Sequence, residues 1–331
     1  MLIRLKGQLL TGGILMAILL AYFFPNIGST GGPLKTEITT KIAIALIFFF
    51  QGLALKTRKL LISVTRWRLH IYCQSCIFLI SPALMLLLII LFGRWIPSNL
   101  QPGLLFLSVL PSTIFSSTVF TANSGGDAGA ALFNATLSNL IGMVITPLWC
   151  LALFANANNE FPPIGSLIAK IAFFILLPLI TGQLIRMATT NQAIDSFGKT
   201  IKRFNNGMIL FVVFAAFCDS FSEHVWADFP FSSILLAVFY SSLFLGLLSS
   251  LAWTSSWLAS QSATQRIAVF FCSSQKTLAA GVPIAAVRFA GQSGNLAQGP
   301  ILIPLMIYHA LQLVLAGLVS GFLVTRNQIA S

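Results

Sequence analysis

The sequence predicts an all-α polytopic membrane protein of ten transmembrane helices, and three observations carry that prediction. Charged residues make up 8% of the 331 and hydrophobic residues 57%, with a mean hydropathy of +0.91. A soluble globular chain carries about 25% charged residues, so this supply cannot furnish a water-facing surface. The apolar residues gather into ten runs, at about 8–25, 39–55, 69–93, 103–122, 129–155, 165–186, 205–222, 232–258, 267–290 and 300–324. Each is near the roughly 20 residues a helix needs to cross a bilayer. The runs are continuously apolar, whereas barrel strands alternate over about 10 residues. Soluble enzymes, disordered tails and nucleic-acid-binding domains are thereby excluded, although the net charge is +12 and the pI about 10.0.

Run one follows Arg4 and Lys6. No small-x-small cleavage site follows it, since Ala21-Tyr22-Phe23-Phe24-Pro25 is too bulky, so it is expected to be the first span and not a signal peptide. Run two is the shortest. Run three carries Gln74 and the Cys73-x-x-Cys76 pair. Together with Cys150, Cys218 and Cys272 these cysteines fall in or beside apolar stretches. An odd number so placed gives no disulfide framework, and they read as small core residues without a metal role. Run four contains Pro111, Thr113, Ser116 and Ser117. Run five supplies Asn134, Thr136, Ser138 and Asn139; Asn134 and Ser138 share a helix face and Thr136 is turned away. Run nine reads Cys272-Ser273-Ser274-Gln275-Lys276-Thr277 and places a lysine mid-span. A charge there costs about 2.5–3.5 kcal/mol on insertion scales, which makes Lys276 a functional candidate. Run ten holds His309 beside Tyr308, read as a packed or hydrogen-bonded residue with a proton relay as the alternative. His70 is placed at a basic interface and His224 in a loop.

Charge in the loops orients the chain. With the N-terminus inside, inside segments carry 13 cations, among them Arg66, Arg68, Lys202 and Arg203, and outside segments carry 5: Lys35, Lys41, Arg94, Lys170 and Arg288. The bias follows the positive-inside rule and predicts both termini in the cytoplasm. Of the seven acids, Asp127 and Asp195 fall inside and the other five outside. The +12 is therefore mostly a topology signal, suited to an anionic cytoplasmic leaflet.

The polar, proline-rich stretch Asn156–Ile164 divides the chain into two blocks of five runs, and an odd number per block means the second runs inverted relative to the first. The polar interruptions of runs four and nine fall at matching places in the two blocks, which is the sequence pointer to a transport site. Pro111 removes a backbone donor and frees a carbonyl. Unwound carbonyls with Ser/Thr hydroxyls are oxygen ligands suited to a hard cation such as Na⁺. The competing reading, small polar residues that let helices pack closely, explains a single serine but not this mirrored cluster. No Walker A, His-Glu-x-x-His or Gly-x-Ser-x-Gly motif is present, so transport by this chain is expected to be secondary and no catalytic set is expected.

Leu110-Pro111-Ser112-Thr113, Gly125-Gly126-Asp127-Ala128-Gly129-Ala130-Ala131, Asn134 and Cys272 through Pro283 resemble the bile acid:sodium symporter superfamily. Phe50-Gln51-Gly52-Leu53 and Trp67-Arg68-Leu69-His70 fit its sodium-bile-acid-symporter-like branch, which includes bacterial proteins and the vertebrate solute carrier family 10 member 7. The resemblance covers nearly the whole chain. It implies one transporter domain over 1–331, inverted repeats at about 8–155 and 165–324, and broken, crossing helices four and nine in a core domain that moves against a panel domain. It also implies one Na⁺ held by helices four and five, at Ser116 and Ser117 with Asn134 and Thr136 as the nearest polar candidates. A second Na⁺ in sodium-coupled relatives uses residues matching Gln74 and Gln275, but their glutamate falls on Phe271 here. Ser273, Ser274, Lys276 and Thr113 are the candidates for substrate and coupling, and Lys276 is a candidate stand-in for a bound cation.

The expected activity is secondary active transport of an organic anion by alternating access, with no cofactor, Na⁺ as the candidate coupling ion, H⁺ as its alternative, and the lipid bilayer of a cell (inner) membrane as the setting. The rival from another class is a regulatory or scaffold protein on a transporter fold that affects ion homeostasis.

Overall fold

In a computed structural model the chain is described over residues 2–54, 66–154, 172–189, 196–222, 230–258, 262–289 and 296–330. Lys56, Arg58, Lys59, Glu160, Lys170, Asp195, Glu223, His224, Asp228 and the 156–164 stretch lie outside the described residues, as do the side chains of Arg4, Lys6, Lys199 and Arg326.

Among the described residues the regular elements are all helical: α1 Leu2–Phe23, α2 Pro25–Gly28, α3 Thr36–Ala54, α4 Trp67–Ser75, a π turn Cys76–Ile80, α5 Ser81–Phe92, α6 Gln101–Ser108, α7 Phe115–Asn123, α8 Ala128–Phe154, a second π turn Ala172–Leu176, α9 Leu177–Ala188, α10 Gly198–Ser222, α11 Phe231–Ser255, α12 Ala263–Ser274, α13 Leu278–Arg288 and α14 Gln298–Ala330. Among the described residues, seven stretches are long and apolar enough to cross a membrane, and Gly12–Phe23 and Phe173–Ala188 are shorter apolar helices. Run four is the exception, because it splits into helices of 8 and 9 residues. Large apolar side chains point outward, with Ile90 77% and Phe231 72% exposed, the arrangement expected of a surface facing lipid. The chain is an integral multi-pass membrane protein. Pro25 and Pro102 each stand in the first turn of their helix, where a missing N–H removes little.

The chain forms two compact units, one built from 1–56, 150–230 and 282–302, the other from 57–149, 231–281 and 303–331. In the first, α3 packs on α9, α1 on α10, and α10 on α3. The α3–α9 crossing is closed by two glycines: a Cβ built on Gly52 would lie 2.1 Å from the Leu179 carbonyl oxygen, and one on Gly182 2.1 Å from that of Phe49. Small residues at such a crossing let the backbones approach and replace a hydrophobic driving force that lipid does not supply. Arg186, buried in the last turn of α9, donates to the Leu53 carbonyl at the end of α3 at 2.8 Å. At the other end of this unit, the Thr30 N–H donates to Asp219 Oδ1 at 2.6 Å.

The second unit is organised around α12 and the start of α13. The Ala263–Arg288 stretch has 94% of its most apolar window buried, against 28–50% for the other long stretches, so it is an interior element. Ser262 caps α12 by accepting from the Gln265 N–H at 3.3 Å. Beyond α7, the Asp127 N–H donates to the Thr264 carbonyl at 2.9 Å while the Asp127 carboxylate pairs with Arg66. Burial works to raise the Asp127 carboxyl, but the Ala130 N–H and the Arg66 guanidinium outweigh it and hold the group below the ordinary carboxylate range.

Candidate functional site

Two helices of the second unit are interrupted, α6/α7 at residues 109–114 and α12/α13 at 275–277. An unwound segment in an apolar interior exposes backbone groups that must find partners. Around the first break, the carbonyls of residues 108 to 113 are all satisfied by donors from elsewhere in the unit. Ser108 accepts from Ser81 Oγ (2.6 Å) and Lys276 Nζ (2.8 Å), Val109 from Thr146 Oγ1 (2.8 Å) and Leu110 from Lys276 Nζ (2.9 Å). Pro111 accepts from the Thr277 N–H (2.9 Å), Ser112 from Asn139 Nδ2 (2.7 Å) and Thr113 from Ser117 Oγ. The Pro111–Thr277 bond joins the two breaks directly.

The second break is braced in the same manner by α14. The Tyr308 hydroxyl donates to the Ser274 carbonyl at 2.5 Å. Gln312 brackets Lys276: its Oε1 accepts from the Lys276 N–H at 2.7 Å and its Nε2 donates to the Lys276 carbonyl at 2.9 Å and to His309 Nδ1 at 2.9 Å. Ser112 is bracketed likewise by α8, with its N–H donating to Ser138 Oγ at 3.1 Å and its carbonyl accepting from Asn139. Each break is thus held by side chains of the long helix that follows it.

Lys276 is fully buried, and its third ammonium contact is the Ile77 carbonyl at 3.2 Å. Ile77 lies in the π turn within run three, a feature the residue pattern gave no sign of. Four residues on from Phe78, Pro82 has no N–H for the Phe78 carbonyl, and the Trp149 indole N–H supplies that carbonyl's donor at 2.9 Å.

The predicted site residues sort into two clusters. Gln275 Oε1 accepts from Thr113 Oγ1 and, at 2.6 Å, from Ser116 Oγ, and those two hydroxyls lie 2.6 Å apart. Ser117 sits one residue on and turns its hydroxyl back to the Thr113 carbonyl. Asn134 joins the other cluster, with Oδ1 3.1 Å from His70 Nδ1, its backbone carbonyl accepting from Gln74 Nε2 at 3.1 Å, and Nδ2 bonded to the Ala130 carbonyl. Thr136 bonds to the Leu132 carbonyl in its own helix. Ser274 does the same to Phe270, and Ser273 lies against the Cys73 and Cys76 thiols. The structure brings Gln275 to Thr113 and Ser116, and gives Asn134 and Gln74 bonds to one another. Among the buried polar atoms of this unit left without a hydrogen-bond partner are the amide atoms Gln275 Nε2 and Gln74 Oε1.

His70, placed by its basic neighbours at an interface, has its side chain packed inside the protein. It is 6% exposed and tilts on Phe133 with ring centroids 4.1 Å apart, because α4 turns this face inward while Trp67 and Ile71 stay exposed. Phe271, the position at which the resemblance leads one to expect a glutamate, is buried against Phe120 and Phe270 and offers no ligand. The five cysteines are free and buried, as expected. Gln312 escaped sequence reasoning; its signal is a lone amide in an apolar run, three residues after His309 and so on the same face.

The chain matches the family model of the SBF-like CPA transporter family over residues 8–325. Among curated proteins it is 32% identical to the Xenopus laevis sodium/bile acid cotransporter 7-B, over 94% of this chain and 90% of that protein. It is 30% identical to the Mus musculus sodium/bile acid cotransporter 7, over 98% and 96%. It is also 32% identical to the Pseudomonas aeruginosa protein PA2026, over 94% and 91%.

Proposed function

The chain belongs to the SBF-like CPA transporter family, and from that premise we propose that it is a secondary transporter of a small organic anion. It works by alternating access at the meeting of the two breaks. Ten crossings form an inverted repeat over about 8–155 and 165–324 in a cell (inner) membrane, with both termini cytoplasmic. The observation that carries the reading is the Pro111–Thr277 bond between two interrupted helices, next to the buried Thr113–Ser116–Gln275 cluster. Discontinuous helices meeting in an apolar interior are the recurrent construction of secondary-transport sites. Two patterns support the repeat. Each break is braced by the helix that follows it, and exchanging the first five runs for the last five turns the α3–α9 pair into the α10–α1 pair.

Na⁺ is the coupling ion of choice, on the oxygens of Thr113, Ser116 and Gln275, with Gln74 Oε1 as a further buried oxygen lacking a donor. The carboxylate of a second sodium site is absent at Phe271, so coupling to a single Na⁺ is the expectation. The anion is drawn by the N-terminal ends of α7 and α13, whose dipoles present partial positive charge. The Lys276 ammonium adds charge at a distance only, since all three of its donors are committed to carbonyls.

Two relatives are named sodium/bile acid cotransporters, so taurocholate and Na⁺ are the first probes. A ligand that binds the native state raises stability by RT ln(1 + [L]/Kd), so a true substrate or coupling ion raises the Tm of the purified protein, and reconstituted vesicles accumulate the anion. A Tm that ignores Na⁺ and a panel of organic anions, together with vesicles that take up nothing, overturns the reading.

A further inference from the structure

We propose that the carbonyls of Ile77, Ser108 and Leu110 form a monovalent-cation site that the chain fills with its own lysine. Three oxygens converge on one point at 3.2, 2.8 and 2.9 Å from Lys276 Nζ. All three are backbone carbonyls, the ligand type that holds alkali cations where helices are interrupted. Two features turn them toward a cation. Ser108 ends α6, where the helix dipole presents partial negative charge, and Leu110 lies in the unwound segment beyond it. Ile77 belongs to the π turn of run three.

The match to an ammonium is in number as well as kind. A protonated lysine has three N–H donors, one for each carbonyl. A neutral amine has two and would set its lone pair against the third carbonyl in a site from which water is excluded. No carboxylate among the described residues takes part: Asp127 pairs with Arg66, Glu37 and Asp219 bond to the Gly31 and Thr30 N–H groups, and position 271 is phenylalanine. A fully buried charge is tolerable only when several oriented dipoles replace its hydration. The cage does so, and the Gln312 bracket on the Lys276 backbone fixes the point from which the side chain reaches it.

The consequence rests on the transporter reading above. A cation tethered by four methylenes cannot leave the protein, so the positive charge at this crossing is constant through the cycle and is not carried across the membrane. The chain needs one coupling cation fewer than a relative that fills such a position from solution.

Truncating the lysine tests the cage. Lys276→Ala leaves the carbonyls in place and opens room for a small cation, whereas Lys276→Met keeps a chain of similar length and fills the space with an apolar group. Thermal melts of purified wild type and both variants are compared in ethylammonium, Na⁺ and N-methylglucammonium chlorides at equal ionic strength, with no organic anion present. The expected result is a saturable rise of about 2 °C or more for Lys276→Ala in ethylammonium or Na⁺, absent in N-methylglucammonium and beyond any response of wild type or Lys276→Met. If Lys276→Ala does not survive extraction in N-methylglucammonium, its yield of monodisperse protein with ethylammonium or Na⁺ present throughout serves as the same readout. A Lys276→Ala protein indifferent to every cation, or a Lys276→Met protein that responds equally, overturns the proposal. Neither result touches the transporter reading, because no anion or uptake enters the measurement.

Discussion

Gln312 shows how much of this site depends on one side chain. Its amide closes on both backbone groups of Lys276, the N–H through Oε1 and the carbonyl through Nε2. Gln312→Leu is close in volume but leaves a buried N–H and a buried carbonyl without these partners, at about 1–3 kcal/mol for each group. A fall of several degrees in the Tm of the detergent-purified protein is expected, and a Q312L melt within about one degree of wild type would show that the bracket contributes little. The sequence marks the other end of this interaction plainly, because a lysine in mid-span is rare and expensive. It cannot mark what holds the lysine, since the ammonium partners are carbonyls, which every residue owns, and Gln312 lies 36 positions away on another helix. The packing of His70 is hidden from the sequence for a related reason. Its neighbours Arg66 and Arg68 look like a water-facing edge, yet the turn of α4 buries the imidazole against Asn134.

Among elements, the two breaks are legible because their residues disturb an apolar run: Pro111 with its hydroxyl cluster in one and Gln275-Lys276-Thr277 in the other. The π turn at Cys76–Ile80 is not, because an i→i+5 turn leaves no compositional trace. Phe50-Gln51-Gly52-Leu53 carries no more than a family likeness in sequence, and Gly182 does not stand out at all; the structure gives both glycines a mechanical role. A Cβ added at either glycine would meet a backbone oxygen at 2.1 Å, so neither position accepts a side chain unless α3 and α9 part. Gly182→Val is expected to separate this pair and to lower Tm by more than the few degrees expected of Gln312→Leu, because rigid backbone, and not a flexible side chain, stands in the way. Gly246→Ala is the control: nothing lies within 4 Å of its Cβ, and it sits in the long helix α11. An alanine in place of that helical glycine should be neutral or slightly stabilising. If Gly182→Val and Gly246→Ala melt alike, the close crossing is not what holds α3 to α9.

At the scale of the molecule, the described parts of the apolar runs fall on helices or broken pairs, so hydropathy locates the elements. The division into two compact units is hidden from it, because each unit gathers three separate segments and the cuts pass through the long helices α8 and α14. Such a partition is made by packing, and hydropathy carries no record of which helices pack. The charge distribution, by contrast, can be read against the structure. Arg66 pairs with Asp127, whose N–H reaches Thr264, and the loop charges assign all three to the inside; Thr30 and Asp219, bonded to each other, are both assigned to the outside. Bonded groups share a side of the membrane, so these pairs fit the grouping of the loops into two faces; which face is cytoplasmic is the prediction of the cation bias. Cysteine labelling checks it without competition from the native thiols, all five of which are buried. Thr30→Cys and Ala263→Cys place single reactive thiols at exposed positions on the two predicted faces. A membrane-impermeant maleimide added to cells with an intact, accessible cell membrane should modify Thr30→Cys directly and Ala263→Cys only after permeabilisation. The reverse pattern would turn the protein over in the membrane, and labelling of both positions in intact cells would mean that the two sites lie on one face and that the count of crossings between them is wrong.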